Sequence, residues 1–491
     1  MADFALDGTH YTRARGLTRY QIPASSDVKA FWGSSVLIQG RVGGDTLVTS
    51  PWQYESLFSP GPWPESVEDV TQERCDRFDR VWSVSRRQIE HDEDVEWPIE
   101  LGASVLEGDG NPDSFDPRYD VPAALGDHML WWVMHDQGAE ERRGHNPTRP
   151  LGIEVRVSAW AFDRADVLDK QTFLKYQVTY RGTRRANQVY LGFFVDGESG
   201  DTYEDYSGTD TTRQMVYFYS MVDRDRAYPN VPPPATGAML IQGPTGDDGQ
   251  EIGLTASWHP LDDSCCWPWR TVEHFRYARG FHTSGPPLVE GGLGRGAGIP
   301  GERRSMHQYP GDPVAGSYWS NENMDGAGER FGGGHREAFM YFGPFTMDPG
   351  DEQEMIVALL WAQGADRLDS VVKLREVADI VRENRDFITS PTVSARPSPD
   401  IPDNARLALS GNRPNPFSAR TRIEFELPVP ATLELHVFDL LGRHVTTLAD
   451  GPYDAGQHSA EFAAAGLTPG VYYYRFRIGG SVFTRPMILV R

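Results

Sequence analysis

Residues 412–491 read NRPNPFSARTRIEFELPVPATLELHVFDLLGRHVTTLADGPYDAGQHSAEFAAAGLTPGVYYYRFRIGGSVFTRPMILVR. Short runs of alternating apolar and polar residues are separated there by turn residues at regular intervals, which is typical of a small β-sandwich. In Ile423–Leu427 every second side chain is apolar, so one face of the strand is suited to a core. Gly479 and Gly480 stand between two such runs and predict a hairpin, because both can take positive φ.

Five motifs follow one another in this stretch: N-P-F at 415–417, F-D-L-L-G-R at 438–443, A-G-Q-H at 455–458, L-T-P-G-V-Y-Y-Y-R at 467–475 and R-P-M-I-L-V-R at 485–491. With them the stretch resembles a type IX secretion C-terminal sorting domain, and it is similar to the immunoglobulin-like domain of flagellar hook-capping proteins. The resemblance implies an immunoglobulin-like sandwich, contact with the secretion machinery, and an extracellular or cell-surface location. The chain departs from the family in ending at Arg491 rather than in a lysine-rich strand.

A Pro/Ser-rich segment, SPTVSARPSPDIPD at 390–403, precedes this stretch and predicts a linker, since it has little apolar surface to bury. We therefore expect a large acidic region at 1–390, a linker at 391–405 and the sorting domain at 406–491. Runs rich in aromatic and β-branched residues, with many Gly and Pro between them, predict a predominantly all-β chain with a few helices. The large region is expected to be of β-sandwich type.

The net charge is −23, and it is unevenly distributed. Residues 406–491 hold 9 Arg, no Lys and 7 acidic residues, so the rest of the chain carries about −25. That acidity argues against nucleic acid or an anionic membrane as a partner and favours bound cations or a soluble extracellular surface. The sequence contains no run of 18 apolar residues, so no membrane span is predicted.

The first residues, MADFALDGTHYTRARG at 1–16, lack the charged and apolar regions of a secretory signal. Type IX export requires such a signal, so we expect the sequence to be that of a mature or trimmed chain.

Three cysteines are too few for a disulfide framework in a chain of 491 residues. Cys265 and Cys266 are neighbours, and joining them would strain a disulfide. Cys75 could pair with either one, or all three could be free thiols.

The large region reads mainly as strands, among them 30–38, 41–49, 152–162, 171–180, 188–195, 214–221, 338–344 and 354–361. Apolar residues at helical spacing predict one helix within 61–95 and another at 366–387. Residues 284–335 are Gly-rich and show no periodic pattern. Segments such as W-P-I-E-L-G-A at 97–103 and L-G-D-H-M-L-W-W-V at 125–133 resemble uncharacterised secreted proteins that carry the same sorting domain.

One acidic segment, VDGESGDTYEDYSGTDTT at 195–212, is the best candidate for a site. Ca²⁺ takes six to eight oxygen ligands from flexible loops, and closely spaced carboxylates among glycines supply them. The spacing is not that of an EF-hand, and a solvated acidic loop is the alternative interpretation. The predicted ligands of a structural Ca²⁺ are Asp196, Glu198, Asp201, Asp205 and Asp210.

A second cluster comprises Asp127, His128, His135, Asp136 and His145, around two adjacent tryptophans at 131–132. The two histidines at 128 and 135 would lie on opposite faces of a strand, which disfavours a transition-metal site. The tryptophans could stack on sugar rings, but core packing is the favoured interpretation.

Searches for H-E-x-x-H, C-x-x-C, G-x-S-x-G and P-loop motifs find none, so no catalytic residue is assigned. The favoured function is that of a secreted or cell-surface structural, adhesive or assembly protein stabilised by Ca²⁺. Its expected partners are the secretion machinery, and also other copies of itself or surface polysaccharide. The alternative is a secreted carbohydrate-active enzyme or carbohydrate-binding protein.

Overall fold

The computed structural model describes residues 9–10, 22, 28–49, 58–91, 93, 95–108, 116, 118–137, 149–260, 267–268, 270–295, 302–393, 408–409, 412–427, 430–439, 444–478 and 481–490.

Strands dominate these residues. In the large region they are β1 (Thr9–His10), β2 (Phe31–Val42), β3 (Asp45–Thr49), β4 (Ser59–Pro60), β5 (Trp82–Ser85), β6 (Val105–Leu106), β7 (Val121–Pro122), β8 (His128–His135), β9 (Ile153–Ala161), β10 (Thr172–Tyr180), β11 (Ala186–Gly197), β12 (Asp205–Asp210), β13 (Met215–Ser220), β14 (Ala235–Gln242), β15 (Ala256–Trp258), β16 (Glu337–Met347) and β17 (Glu352–Ala362). Towards the C-terminus follow β18 (Ala408–Leu409), β19 (Arg420–Leu427), β20 (Ala431–Asp439), β21 (His444–Tyr453), β22 (Gly456–Ala463), β23 (Gly470–Ile478) and β24 (Ser481–Leu489). The α-helices are α1 (Gln72–Phe78), α2 (Arg86–Glu90), α3 (Thr271–Tyr277), α4 (Arg367–Glu383) and α5 (Arg385–Ile388). The predicted all-β class with a few helices is confirmed.

Two antiparallel sheets form the sandwich of the large region. The six-stranded sheet has the order β1-β2-β11-β16-β15, with β3 paired to β2. The nine-stranded sheet has the order β12-β13-β14-β17-β10-β9-β8-β4, with β5 paired to β8. One apolar core contains inward-facing residues of both sheets, including Phe193 and Val195 of β11 and Val357 and Leu359 of β17. Burial of this apolar surface is the main stabilising contribution to the sandwich.

A second apolar cluster covers the opposite face of the six-stranded sheet. It contains Phe194 of β11 and Phe339 of β16, together with Trp319 from the Gly-rich stretch 284–335. The described part of that stretch contains no α-helix and no strand of the sheets, yet Trp319 is only 1% exposed. The stretch therefore buries one face of a sheet although its sequence has no regular period.

Two predictions about local structure need correction. β2 continues through Gln39 and Gly40, where the expected strands 30–38 and 41–49 were separate, and the chain turns at Gly43 and Gly44, both with positive φ. The helix expected within 61–95 is shorter: α1 ends at Phe78, and the apolar residues that follow belong to β5. Trp82 and Val84 are buried in β5 at a spacing of two, but Trp82 also lies four residues after Phe78, so up to that point the pattern fits a continuing helix.

The C-terminal stretch forms two antiparallel sheets of its own, β18-β19-β22 and β21-β20-β23-β24. Ile423, Phe425 and Leu427 of β19 are buried as their alternation predicted. They share an apolar core with Leu435 of β20 and Phe476 of β23. β23 and β24 pair from Ile478 and Ser481 outward, so the predicted hairpin is confirmed, while its two glycines lie outside the described residues.

By its internal contacts the chain divides into two compact units. One comprises residues 1–83, 130–162 and 167–379, and the other comprises residues 84–129, 163–166 and 380–491. The boundaries 1–390, 391–405 and 406–491 stay predictions, and most of the linker lies outside the described residues. Among the described residues, no helix is long and apolar enough to cross a membrane.

Cys75 is buried in α1, whereas Cys265 and Cys266 lie outside the described residues, so their pairing stays a prediction.

Candidate functional site

Two neighbouring strands bring acidic side chains together at the end of β11. Asp196 of β11 lies directly opposite Glu337 of β16 in the antiparallel register. Both carboxylates are buried, at 1% and 4% exposure. His335 precedes β16 by two residues, and its Nε2 lies 3.2 Å from Oδ1 of Asp196.

Two more carboxylates lie just beyond the end of β11. Glu198 is 2% exposed and Asp205, the first residue of β12, is 1% exposed. Among the described residues, neither oxygen of Glu198 has a hydrogen-bond partner, and neither does Oδ2 of Asp205 or Oγ of Ser199. Buried polar atoms without partners are uncommon in native proteins, so these four oxygens need an explanation.

The loop between β11 and β12 is held by backbone hydrogen bonds to carboxylates. The amide of Ser199 donates to Oδ1 of Asp205 at 3.3 Å, and the amide of Asp201 donates to Oδ2 of Asp225 at 2.9 Å. Gly200 has φ +148°, and a Cβ built there would lie 2.1 Å from Oδ2 of Asp225. Only glycine lets the backbone approach this carboxylate so closely.

The electrostatics of the cluster are those of crowded, desolvated acids. Burial, and after it the charge of Asp196, raise the pKa of the Glu198 carboxyl to about 8. The nearby Thr202 hydroxyl lowers that pKa without reaching hydrogen-bond geometry, and the charges of His335 and Lys29 also lower it. Burial likewise raises the pKa of Asp205 well above its usual range, and the charges of Glu198 and two further aspartates add to that.

His335 is the main cation within the cluster. Burial lowers its pKa, but the hydrogen bond to Asp196 and the charges of Asp196, Glu337 and Glu198 outweigh burial and raise the pKa to about 10. The imidazole is therefore protonated at neutral pH.

The five predicted ligands are not all in one place. Asp196, Glu198 and Asp205 interact electrostatically within the buried cluster. Asp201 accepts a hydrogen bond from the amide of Tyr203 at 3.3 Å and pairs with Arg226 at 3.0 Å. Asp210, at the far end of β12, pairs with Arg213 at 3.0 Å. Its carboxylate also faces Arg375 at 3.6 Å, so its charge is already compensated.

Within the part of the chain that the structure describes, one group of three potential metal ligands has all its ligand atoms within 4.8 Å of one another. It consists of Asp196, His335 and Glu337. We call these three residues the strand triad, and Glu198, Ser199, Asp205 and Asp225 the loop cluster.

Sequence reasoning found Asp196 but missed His335 and Glu337. His335 and Glu337 lie about 140 residues after Asp196, and only the pairing of β11 with β16 brings them together. The sequence did contain one signal. The titratable residues 335 and 337 are two apart, directly after a Gly-rich stretch and at the start of an apolar strand, where charged side chains are unusual.

The second predicted cluster is structural in the residues described. Asp136 accepts hydrogen bonds from Oγ1 of Thr49 at 2.6 Å and from the amides of Leu151 and Ile153 at 2.8 Å each. His128 is exposed, whereas His135 is buried with a pKa lowered to about 4, mainly by desolvation. His145 lies outside the described residues.

The tryptophans at 131 and 132 are 1% and 0% exposed, so they pack in the core, as favoured, and offer no face for a sugar ring.

Comparison with known proteins identifies the C-terminal stretch. Residues 414–490 match the family model described as "Secretion system C-terminal sorting domain". The resemblance to a type IX sorting domain is thereby confirmed, and such a domain directs its chain to the extracellular space or the cell surface. No protein in the comparison with curated sequences matches this chain.

Among solved structures, one of a polysaccharide lyase is 10% identical, with a TM-score of 0.21. The alignment covers 70% of this chain and 34% of that structure, so this chain spans about a third of its length. A likeness at this level carries no argument about fold or activity.

Proposed function

We propose that the large region is a non-enzymatic structural, adhesive or assembly module, stabilised by Ca²⁺ and delivered to the cell surface or the extracellular space by its sorting domain. The observation that carries the Ca²⁺ part is the carboxylate of Glu198, which is 2% exposed and has no hydrogen-bond partner among the described residues. An unpaired buried carboxylate costs several kcal/mol when ionised, so the group either keeps a proton or takes a cation.

The loop cluster has the chemistry that Ca²⁺ prefers. Its unpartnered donors are two oxygens of Glu198, Oδ2 of Asp205 and the hydroxyl of Ser199, all oxygen atoms. Asp225 and Asp196 add negative charge at the same place. Binding would draw the loop between β11 and β12 around the ion, so that these oxygens become its ligands. Asp201 and Asp210 are already paired with arginines, so they would stabilise the loop and β12 without bonding to the ion.

The setting suits a weak extracellular site. Extracellular Ca²⁺ modules bind with Kd values of about 10⁻⁴–10⁻³ M. A site made of a few loop oxygens can have an affinity in this range. A ligand present at a hundred times its Kd adds about 2.7 kcal/mol to the free energy of unfolding. We assign the ion a structural role because it would tie β11 to β12, which belong to different sheets.

Thermal unfolding of the full chain tests this proposal. Removing Ca²⁺ with a chelator should lower the Tm by a few degrees, since about 1 kcal/mol shifts the Tm of a domain of 150–250 residues by about 2–4 °C and that of a larger one by less. Returning Ca²⁺ should restore the Tm, and Mg²⁺ at the same concentration should restore it less, because Mg²⁺ gives up its water reluctantly. An unchanged melting curve would dismiss the site.

The assembly part of the proposal concerns other copies of the chain. A net charge of −23 makes copies repel one another, and bound or bridging Ca²⁺ reduces that repulsion. Light scattering with and without Ca²⁺ tests it: larger assemblies should appear with the ion, and a mass that stays monomeric in both conditions would leave the protein without this role. The carbohydrate-active alternative has no observation in its favour, since its candidate stacking tryptophans are buried.

A further inference from the structure

The strand triad has features that the loop cluster lacks. It includes a nitrogen donor, and its three ligand atoms already lie within 4.8 Å of one another. Two of its members, Asp196 and Glu337, are fixed by strand register rather than by a loop. His335 lies on the same face as Glu337, because side chains two apart along an extended chain point the same way.

We propose that Asp196, His335 and Glu337 form a second cation site, which takes a divalent transition metal ion that prefers mixed nitrogen and oxygen ligands, of the Zn²⁺ and Co²⁺ class. The site goes beyond the proposed function, which needs only Ca²⁺ in the loop cluster.

The placement of charges supports a cation here. Two carboxylates that face each other directly on neighbouring strands destabilise a sheet, so a positive charge between them stabilises this arrangement. The carboxylate of Glu198, on which the Ca²⁺ proposal rests, also acts electrostatically on both Asp196 and His335, so it adds negative charge beside the triad. The cation Lys29 also acts on Asp196, but it is only partly buried.

The donor set selects the class of ion. Imidazole nitrogen suits Zn²⁺, Co²⁺ and related ions, whereas Ca²⁺ and Mg²⁺ take oxygen ligands almost exclusively. Two carboxylates and one imidazole make three protein ligands, the number found in zinc sites that keep an open position for water. In such a site Asp196 would be shared between this ion and the loop cluster.

Binding replaces a proton on His335 by the metal ion. Nε2 of His335 lies 3.2 Å from Oδ1 of Asp196 and donates its proton to that oxygen. For the metal ion to bond to Nε2, that proton must leave to solvent, and the lone pair it used then forms the bond to the metal. The proton therefore competes with the ion, so binding should be tighter at pH 8 than at pH 6.

The test titrates the full chain with Co²⁺ at pH 8 in 1 mM CaCl₂, following the visible ligand-field absorption and the metal bound after dialysis. We expect one Co²⁺ per chain, displaced by Zn²⁺. His335→Ala and Glu337→Gln should each weaken binding at least about a hundredfold. His128→Ala, at an exposed histidine, should leave it unchanged. Near-UV circular dichroism checks that both triad variants keep the native fold.

The outcome separates the two sites. Asp205→Asn should abolish Ca²⁺-dependent stabilisation while keeping the Co²⁺ spectrum. If wild type binds no Co²⁺ at millimolar concentration, or if a folded His335→Ala variant binds it as tightly as wild type, the second site is refuted even where Ca²⁺ stabilises the chain. If Co²⁺ binds as expected and Ca²⁺ has no effect, only the Ca²⁺ proposal fails.

Discussion

Asp196 and Glu337 lie directly opposite each other on neighbouring antiparallel strands in the six-stranded sheet, and both are buried. Like charges in this relationship destabilise a sheet, and burial adds to the cost. The hydrogen bond from His335 to Asp196 offsets part of it. The proposed transition-metal site is built on that pair.

Replacing Glu198 by Gln should lower stability in Ca²⁺ but not in chelator. In Ca²⁺ the wild type should be the more stable protein, since the variant lacks the ion's charged ligand. In chelator at pH 8.5 the variant should be at least as stable as wild type, because it no longer carries an ionised, unpartnered carboxylate. Urea unfolding in both buffers measures the two differences.

Glu204→Gln in the same loop is the matched control, and it should leave the Ca²⁺ effect intact. Equal losses in both buffers for Glu198→Gln would indicate a packing role instead of a ligand role.

The chelated protein should become less stable as the pH rises from 6.5 to 8.5. Glu198, with a folded pKa of about 8, and His335, with one of about 10, hold protons in the folded state that the unfolded chain has released. Stability from a raised pKa is complete below the unfolded value and is lost as the pH passes the folded value. Each group contributes on the order of 1.4 kcal/mol per pH unit at most.

The check is the slope of unfolding free energy against pH. Glu198→Gln should make this slope shallower by the contribution of one titrating group. Saturating Ca²⁺ should have the same effect on wild type. A free energy of unfolding that increases with pH in this window would contradict the account.

Acid should destabilise the protein through buried neutral histidines. Desolvation lowers the pKa of His259 to about 3 and those of His274 and His307 to about 4. The unfolded chain therefore binds more protons than the folded one between about pH 6.5 and 4, and stability falls as the pH decreases through that range. Per histidine the loss is on the order of 1.4 kcal/mol per pH unit.

His274→Gln should flatten that acid dependence, whereas exposed His128→Gln should not. The measurement is urea unfolding at pH 6.5, 5.5 and 4.5, and identical slopes for wild type and His274→Gln would count against the burial argument.

Much of the fold could be predicted because its strands are long and strongly patterned. Ile423, Phe425 and Leu427 revealed the face of β19 by strict alternation, and the apolar positions of α4 fixed that helix. The four residues of β5 could not be predicted, since Trp82 lies four residues after Phe78 as in a continuing helix, and so short a strand shows too little alternation to reveal itself.

The candidate site could be predicted only in its local half. Asp196, Glu198 and Asp205 lie within ten residues, so crowding of carboxylates in the sequence indicated a cation. His335 and Glu337 join them through the register of two strands distant in the chain, and a single sequence does not encode register in any local pattern. Asp210 is also near in sequence, but it lies at the other end of the extended strand β12, where it pairs with Arg213.

Deleting residues 406–491 should stop export at the periplasm when the chain is expressed behind a signal peptide in a host with type IX secretion. The reason is that residues 414–490 constitute the sorting domain. Cell fractionation and surface protease accessibility measure the outcome, with the intact chain as control. Normal surface display of the shortened chain would refute the sorting role.

The most direct test of the central claim is equilibrium dialysis of the full chain against Ca²⁺, with the bound ion counted per chain. We expect one Ca²⁺ with a Kd at or below the millimolar range, and its loss in Glu198→Gln and in Asp205→Asn. No bound Ca²⁺ at several millimolar, or binding that both variants retain, would contradict the claim that the loop cluster holds the ion.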